Sequence, residues 1–264
     1  MKSTDDKLIQ DDEIVTVYSC GNYKEIVCCK QNPQAINVTK LSKTQYIDNN
    51  TNEIRDYRNS TVKSLDNFKE QFKAIPRLIK GYFNGDYTER FITLTYSNLM
   101  SNPYALPYDF KRFIEKIERR YCKCRYIYIK EPNNQGSWHI HSIIKRLDEM
   151  PFNISTEKVR YLWKHGYEVS VKIPYNIDTL PYYYDITRDE SKEARIIYYP
   201  AHLQIYGCSN HMKIQKKRGE YKNLKPSEMR KIYETKNEYF SVNKENGEIY
   251  GQWKTVYEQY KKLS

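Results

Sequence analysis

The chain contains no pair of cysteines in CxxC spacing. Its six cysteines, Cys20, Cys28, Cys29, Cys122, Cys124 and Cys208, therefore do not form the pattern of a zinc ribbon. Cys122 and Cys124 alternate at the edge of an expected strand and read as small core or surface thiols. No apolar run approaches the length of a membrane span, and Met1 to Glu13 is polar and acidic, unlike a signal peptide. These absences predict a cytoplasmic protein with reduced thiols and no membrane partner. HExxH is missing, which argues against a zinc protease, and no P-loop is present to serve a fused helicase. No internal repeat is evident.

Positive charge and tyrosine are in excess. Lys and Arg number 44 against 33 Asp and Glu, for a net charge of +11. A basic surface gathers phosphates by counterion release, so the balance points to a polyanionic partner. The 27 tyrosines are consistent with base stacking, although an A/T-rich genome also explains part of that excess. At 264 residues the chain can build a core without disulfides or structural metals.

Residues 14–30 read as two short strands around Gly21-Asn22, and residues 31–61 as polar and unpatterned. Leu65, Phe68, Phe72, Ile75, Leu78, Ile79 and Phe83 recur at helical spacing, with Pro76 expected to kink or split the helix. Residues 91–96 are a strand by β-branched content. Pro107 to Tyr121 is an amphipathic helix, followed by a hairpin of Arg125–Lys130 and Trp138–Lys145. Residues 155–164 form a helix capped by Ser155 or Thr156 and stopped at Gly166, and Tyr167–Ile173 is the next strand. RIIYYP (195–200) and LQIYGC (203–208) look strand-like. Residues 212–236 carry nine Lys or Arg against three Glu and read as a basic linker, and strands near 237–243 and 248–257 flank Asn246-Gly247. The pattern predicts an α+β fold with a central, largely antiparallel sheet and flanking helices. It divides into an N-terminal β/polar extension (1–61), a core (62–211), and a basic linker with a β-hairpin packed on that core (212–264).

The sharpest signal is Trp138-His139-Ile140-His141. Residues two apart on a strand share a face, so His139 and His141 project together while Ile140 faces the other way. Glu131 lies at the end of the preceding strand, where the hairpin returns it to the two rings. Two imidazoles and a carboxylate, with positions left for phosphate and water, suit Mg2+ or Mn2+. His165, His202 and His211 read instead as ordinary surface or core histidines.

Three stretches resemble the rolling-circle replication initiators of plasmids and phages, within the HUH (His–hydrophobe–His) endonuclease superfamily, and especially those of low-GC Gram-positive bacteria. FITLTY (91–96) resembles the first family motif and EPNNQGSWHIHSII (131–144) the metal motif. YLWKHGYEVSV (161–171) resembles the segment that follows, and the likeness spans residues from about 60 to about 215. It implies a HUH/Rep-like nuclease domain in which Glu131, His139 and His141 hold the metal and no organic cofactor is bound. It also implies a nucleophilic tyrosine in the 176–189 segment, which offers Tyr182, Tyr183 and Tyr184; the ungapped match favours Tyr183. Ile186 stands where the family has a lysine, and Pro181 precedes the cluster. The implied reaction is nicking and rejoining of single-stranded or hairpin origin DNA through a 5′-phosphotyrosine, with host helicase and polymerase as partners. The alternatives are a non-catalytic nucleic-acid-binding regulator that keeps the fold, or a related transposase or relaxase.

Overall fold

A computed structural model describes residues 8–31, 38–42, 45–49, 51–56, 62–166, 169–175, 194–242 and 249–262. In chain order the elements begin with β1 (Ile14–Cys20), β2 (Tyr23–Gln31), β3 (Val38–Lys40), β4 (Gln45–Asp48) and β5 (Glu53–Asp56). Helices α1 (Leu65–Phe72) and α2 (Ala74–Tyr82), strand β6 (Glu89–Leu94) and helix α3 (Leu106–Arg120) follow. Next come β7 (Cys124–Pro132), β8 (Trp138–Arg146), α4 (Thr156–Trp163), β9 (Val169–Lys172) and a short 3-10 helix (Ala194–Tyr198). The chain continues with β10 (Tyr206–Cys208), β11 (Gln215–Glu220), α5 (Tyr221–Leu224), β12 (Met229–Val242) and β13 (Ile249–Lys262). Two compact units result: Ser60–Ile214 is one, and Met1–Asn59 with Gln215–Ser264 is the other.

The Ser60–Ile214 unit is built on a five-stranded antiparallel sheet in the order β10-β7-β8-β6-β9. Helix α3 forms because Leu106, Phe110, Phe113, Ile114 and Ile117 fall on one stripe, and all five are buried. Pro107 sits at its start, where a missing N–H costs nothing, and Arg119 and Arg120 complement the dipole at its end. The helix expected over 65–83 is indeed split, but at Lys73. Pro76 falls in the first turn of α2, where the proline ring is tolerated. Helix α4 is capped by Ser155, whose Oγ accepts from the Lys158 N–H at 3.2 Å. It ends at Lys164, in the left-handed region at φ 65°, and not at Gly166. Gly166 has a different task. A Cβ there would collide with the Thr95 carbonyl oxygen and lie 2.8 Å from its carbon, so only glycine lets the two backbones meet.

The RIIYYP stretch is a 3-10 turn and not a strand over residues 194–198. Its β-branched content was overridden by anchoring: buried Tyr199 packs edge-on against Phe68 and Trp138, with ring centroids 5.4 and 5.0 Å apart.

In the other unit, residues from both ends of the chain share one antiparallel sheet, in the order β11-β1-β2-β13-β12. The basic 212–236 stretch, read as a linker, contains β11, α5 and the start of β12. Its charges gave no apolar pattern to read because β11 is an edge strand whose lysines are exposed while its backbone pairs with β1. The core of the unit contains Ile9, Val15, Val17, Ile26, Cys28, Tyr221, Val256 and Tyr260. Glu258 is buried beside it and accepts from Tyr221 Oη at 2.9 Å, Tyr260 Oη at 2.7 Å and Lys231 Nζ at 2.6 Å. The polar 31–61 region contains a small sheet, β3-β4-β5. β5 is exposed along its whole length, so there was no alternation to recognise. All six cysteines are free thiols. Among the described residues no helix is long and apolar enough to cross a membrane.

Candidate metal centre

The β7–β8 hairpin brings Glu131 directly opposite His139. On the other side of β8, strand β6 places Thr93 opposite His141. Alternation along β8 buries Trp138, Ile140, Ser142 and Ile144 on one face, while His139 and His141 stay half-buried on the other. The turn that closes the hairpin is tightly specified. Asn133 Oδ1 accepts from the Gln135 and Ser137 N–H groups, both at 2.9 Å, and Gly136 adopts φ 77°.

Glu131, His139 and His141 offer ligand atoms that all lie within 4.8 Å of one another. Glu131 Oε2 is 3.2 Å from His141 Nε2 and 4.0 Å from His139 Nε2. The two imidazoles meet edge to face, with centroids 4.7 Å apart. On its far side, the Nδ1 of His141 lies 3.0 Å from Thr93 Oγ1, and its ring stacks on Phe91. This fixes the ring orientation and turns Nε2 toward the carboxylate. Ser137 is a backbone hydrogen-bond partner of the His139 ring.

Arg195, from the 3-10 turn, donates from one terminal nitrogen to Glu131 Oε1 at 2.8 Å and from Nε to Asn134 Oδ1 at 2.8 Å. The carboxylate is thereby divided, with one oxygen on the guanidinium and the other on the imidazoles. Burial pushes the Glu131 carboxyl up, but the hydrogen bond from His141 and the charges of His141, His139 and Arg195 outweigh it, and Glu131 is held below its ordinary value. Burial and the neighbouring His141 pull His139 down to about 4, against the opposing pull of Glu131. Its ring is therefore neutral near pH 7.

Residues 89–185 match a family model of replication-associated proteins, the ORF2 type. The match begins at the first residue of β6 and encloses all three clustered side chains. No curated protein and no solved structure matches the chain significantly.

Beside the cluster, within the matched segment, lies a polar cleft of about 430 Å³. Residues 95–99 after β6 line one wall, and Asn133, Gln135 and Ser137 of the hairpin turn line the other. Ser137 connects the two features, since it also bonds the His139 ring. The loop is tied to β8 by Trp138 N–H donating to the Met100 carbonyl at 2.9 Å.

Of the residues singled out from sequence, Glu131, His139 and His141 come together. Tyr182, Tyr183 and Tyr184 lie outside the described residues. His165 is elsewhere, 3.7 Å from Asp109, and His211 accepts from Arg125 Nε at 2.9 Å. Sequence reasoning missed Arg195 and the orienting role of Thr93. Thr93 was within reach as the middle of the 91–96 strand; Arg195 was hidden in a stretch that looked like a strand.

Proposed function

We infer that the chain initiates rolling-circle replication by nicking and rejoining single-stranded origin DNA, as a metal-dependent HUH-type tyrosine endonuclease. The observation that carries this reading is the convergence of Glu131, His139 and His141 inside the segment that matches replication-associated proteins. The donor set fits a divalent cation: a carboxylate held ionised, one imidazole aimed by Thr93, and a second that is neutral and offers a lone pair. Bound there, Mg2+ or Mn2+ would polarise the scissile phosphate and stabilise the charge that develops on it.

The protein side chains supply the rest. Tyr183, or its neighbour Tyr182 or Tyr184, attacks phosphorus through its phenolic oxygen and gives up its phenolic proton to solvent. The bond to the 3′ oxygen breaks, and that oxygen takes up a proton to leave a 3′-hydroxyl. The 5′ phosphate remains esterified to tyrosine, which conserves the bond for the rejoining step. A phenol with a pKa of roughly 10 is a weak nucleophile at neutral pH, so the reaction depends on charge neutralisation at the phosphate. Thr93 and Arg195 act by fixing the His141 ring and the Glu131 carboxylate.

The test uses the purified chain, Mn2+ and an origin hairpin oligonucleotide. The expected product is a covalent adduct stable to denaturing gel electrophoresis, which mass spectrometry assigns to one tyrosine. His139→Ala with His141→Ala abolishes it; undiminished cleavage in that double variant removes the metal assignment. Salt-sensitive DNA binding with no adduct under any metal would favour a non-catalytic regulator, the reading for which Ile186 in place of the family lysine speaks.

A further inference from the structure

Away from the cluster, helices α3 and α4 of the same unit present cations interleaved with exposed aromatic rings. On α3, Tyr108 is 63% exposed and the Arg112 guanidinium lies over its ring, 5.5 Å from the centroid. One turn further, Lys116 reaches across to α4 and donates to the Leu162 carbonyl at 2.7 Å. On α4, Tyr161 is 64% exposed, with Lys158 at 4.8 Å and Lys164 at 5.5 Å from its ring centroid. Burial, and then the charges of Lys164, Arg112 and Arg119, pull Lys116 below its ordinary range. The cations of the two helices thus repel one another. Nearby acids are engaged: Asp109 accepts from Tyr96 Oη at 2.9 Å, and Glu115 lies 3.8 Å from Arg119.

At its α4 end the strip adjoins the polar cleft. Lys164 is followed by His165, whose carbonyl accepts from the Ser97 N–H at 2.8 Å. Ser97 lines the polar cleft that ends at Ser137.

We propose that Tyr108, Arg112, Lys116, Lys158, Tyr161 and Lys164 form a track for single-stranded DNA. The cations neutralise successive phosphates, and the two open phenol rings stack on unpaired bases. A duplex keeps its bases stacked internally and has no use for the rings, so the tyrosines select the single strand. The proposal rests on the preceding reading only in taking DNA as the substrate, and it does not require that the metal cluster cleave.

Binding is measured with the full-length protein in EDTA, by fluorescence anisotropy of a labelled oligothymidylate of about 20 nucleotides. Tyr108→Ala with Tyr161→Ala should weaken binding by about 100-fold, from roughly tenfold per lost stack, and Tyr161→Phe should keep nearly wild-type affinity. Lys158→Gln with Lys164→Gln should reduce the slope of log affinity against log salt by about 1.4, from roughly 0.7 per cation on a single strand. Lys69→Gln, on α1, should change neither quantity by a comparable amount. Unchanged affinity in the tyrosine variant together with an unchanged slope in the lysine variant overturns the track. An equal loss on blunt duplex DNA overturns the single-strand assignment. Both tyrosines are mostly exposed, so circular dichroism should show the variants folded. Failure to nick while strip variants still lose single-strand binding would overturn the preceding section and leave this proposal standing.

Discussion

Gly166→Ala tests how α4 is seated against the end of β6. The added methyl would overlap the Thr95 carbonyl oxygen, with the Thr95 carbon at 2.8 Å and Tyr96 Cα at 3.0 Å. All three are backbone atoms, so no rotamer change relieves the clash and the segments must separate. Forcing a methyl into packed backbone costs about 1–3 kcal/mol. Separation also strains two hydrogen bonds at that junction: Trp163 Nε1 to the Thr95 carbonyl at 2.6 Å, and Ser97 N–H to the His165 carbonyl at 2.8 Å. Each is worth about 0.5–1.5 kcal/mol net. A total of about 3 kcal/mol lowers the melting temperature by about 6–12 °C for a unit of about 150 residues. Thermal unfolding followed by circular dichroism reads this directly. A shift of less than about 2 °C would mean that the junction yields freely, and the argument for glycine at this position would be wrong.

Three further outcomes are expected. Thr93→Val removes the hydroxyl beside His141 Nδ1 at constant volume and should weaken Mn2+ binding about 10- to 100-fold by calorimetry; unchanged affinity would deny Thr93 its orienting role. Mn2+ at about 100 times its dissociation constant should stabilise the wild-type chain by about 2.7 kcal/mol, and the same gain in His139→Ala/His141→Ala would place the ion elsewhere. For Asp86, burial pushes its carboxyl up, but hydrogen bonds from Thr88 and the Lys145 charge hold it below the ordinary aspartate value of 3.8. Its depressed folded value means the stabilisation is present above 3.8 and lost as pH falls through the lower folded value. Asp86→Asn should accordingly flatten the acid limb of a stability–pH curve, and an unaltered limb would show that the contacts contribute nothing.

The parts of this molecule that were legible in the sequence are those governed by local periodicity. The α3 stripe and the alternation of β8 could be read residue by residue, and β8 together with the 132–136 turn placed Glu131 beside His139 and His141. What stayed hidden depends on distant partners. Arg195 reaches Glu131 because Tyr199 is anchored on Phe68 and Trp138, which no local pattern reports. Gly166 looked like a helix stop, but its role is set by Thr95, far away in the chain. β11 and β5 escaped notice because exposed strands need no apolar side.

The pairing of β2 with β13 sets Cys28 opposite Val256. A sheet closed by such distant partners has to wait for synthesis to approach residue 262, whereas Ser60–Ile214 is already complete in sequence. In the interval β2 offers a free hydrogen-bonding edge, open to another nascent chain emerging from the same message. Premature termination before Ile249 would make that exposure permanent, so truncated products should aggregate out of proportion to the number of residues they lack.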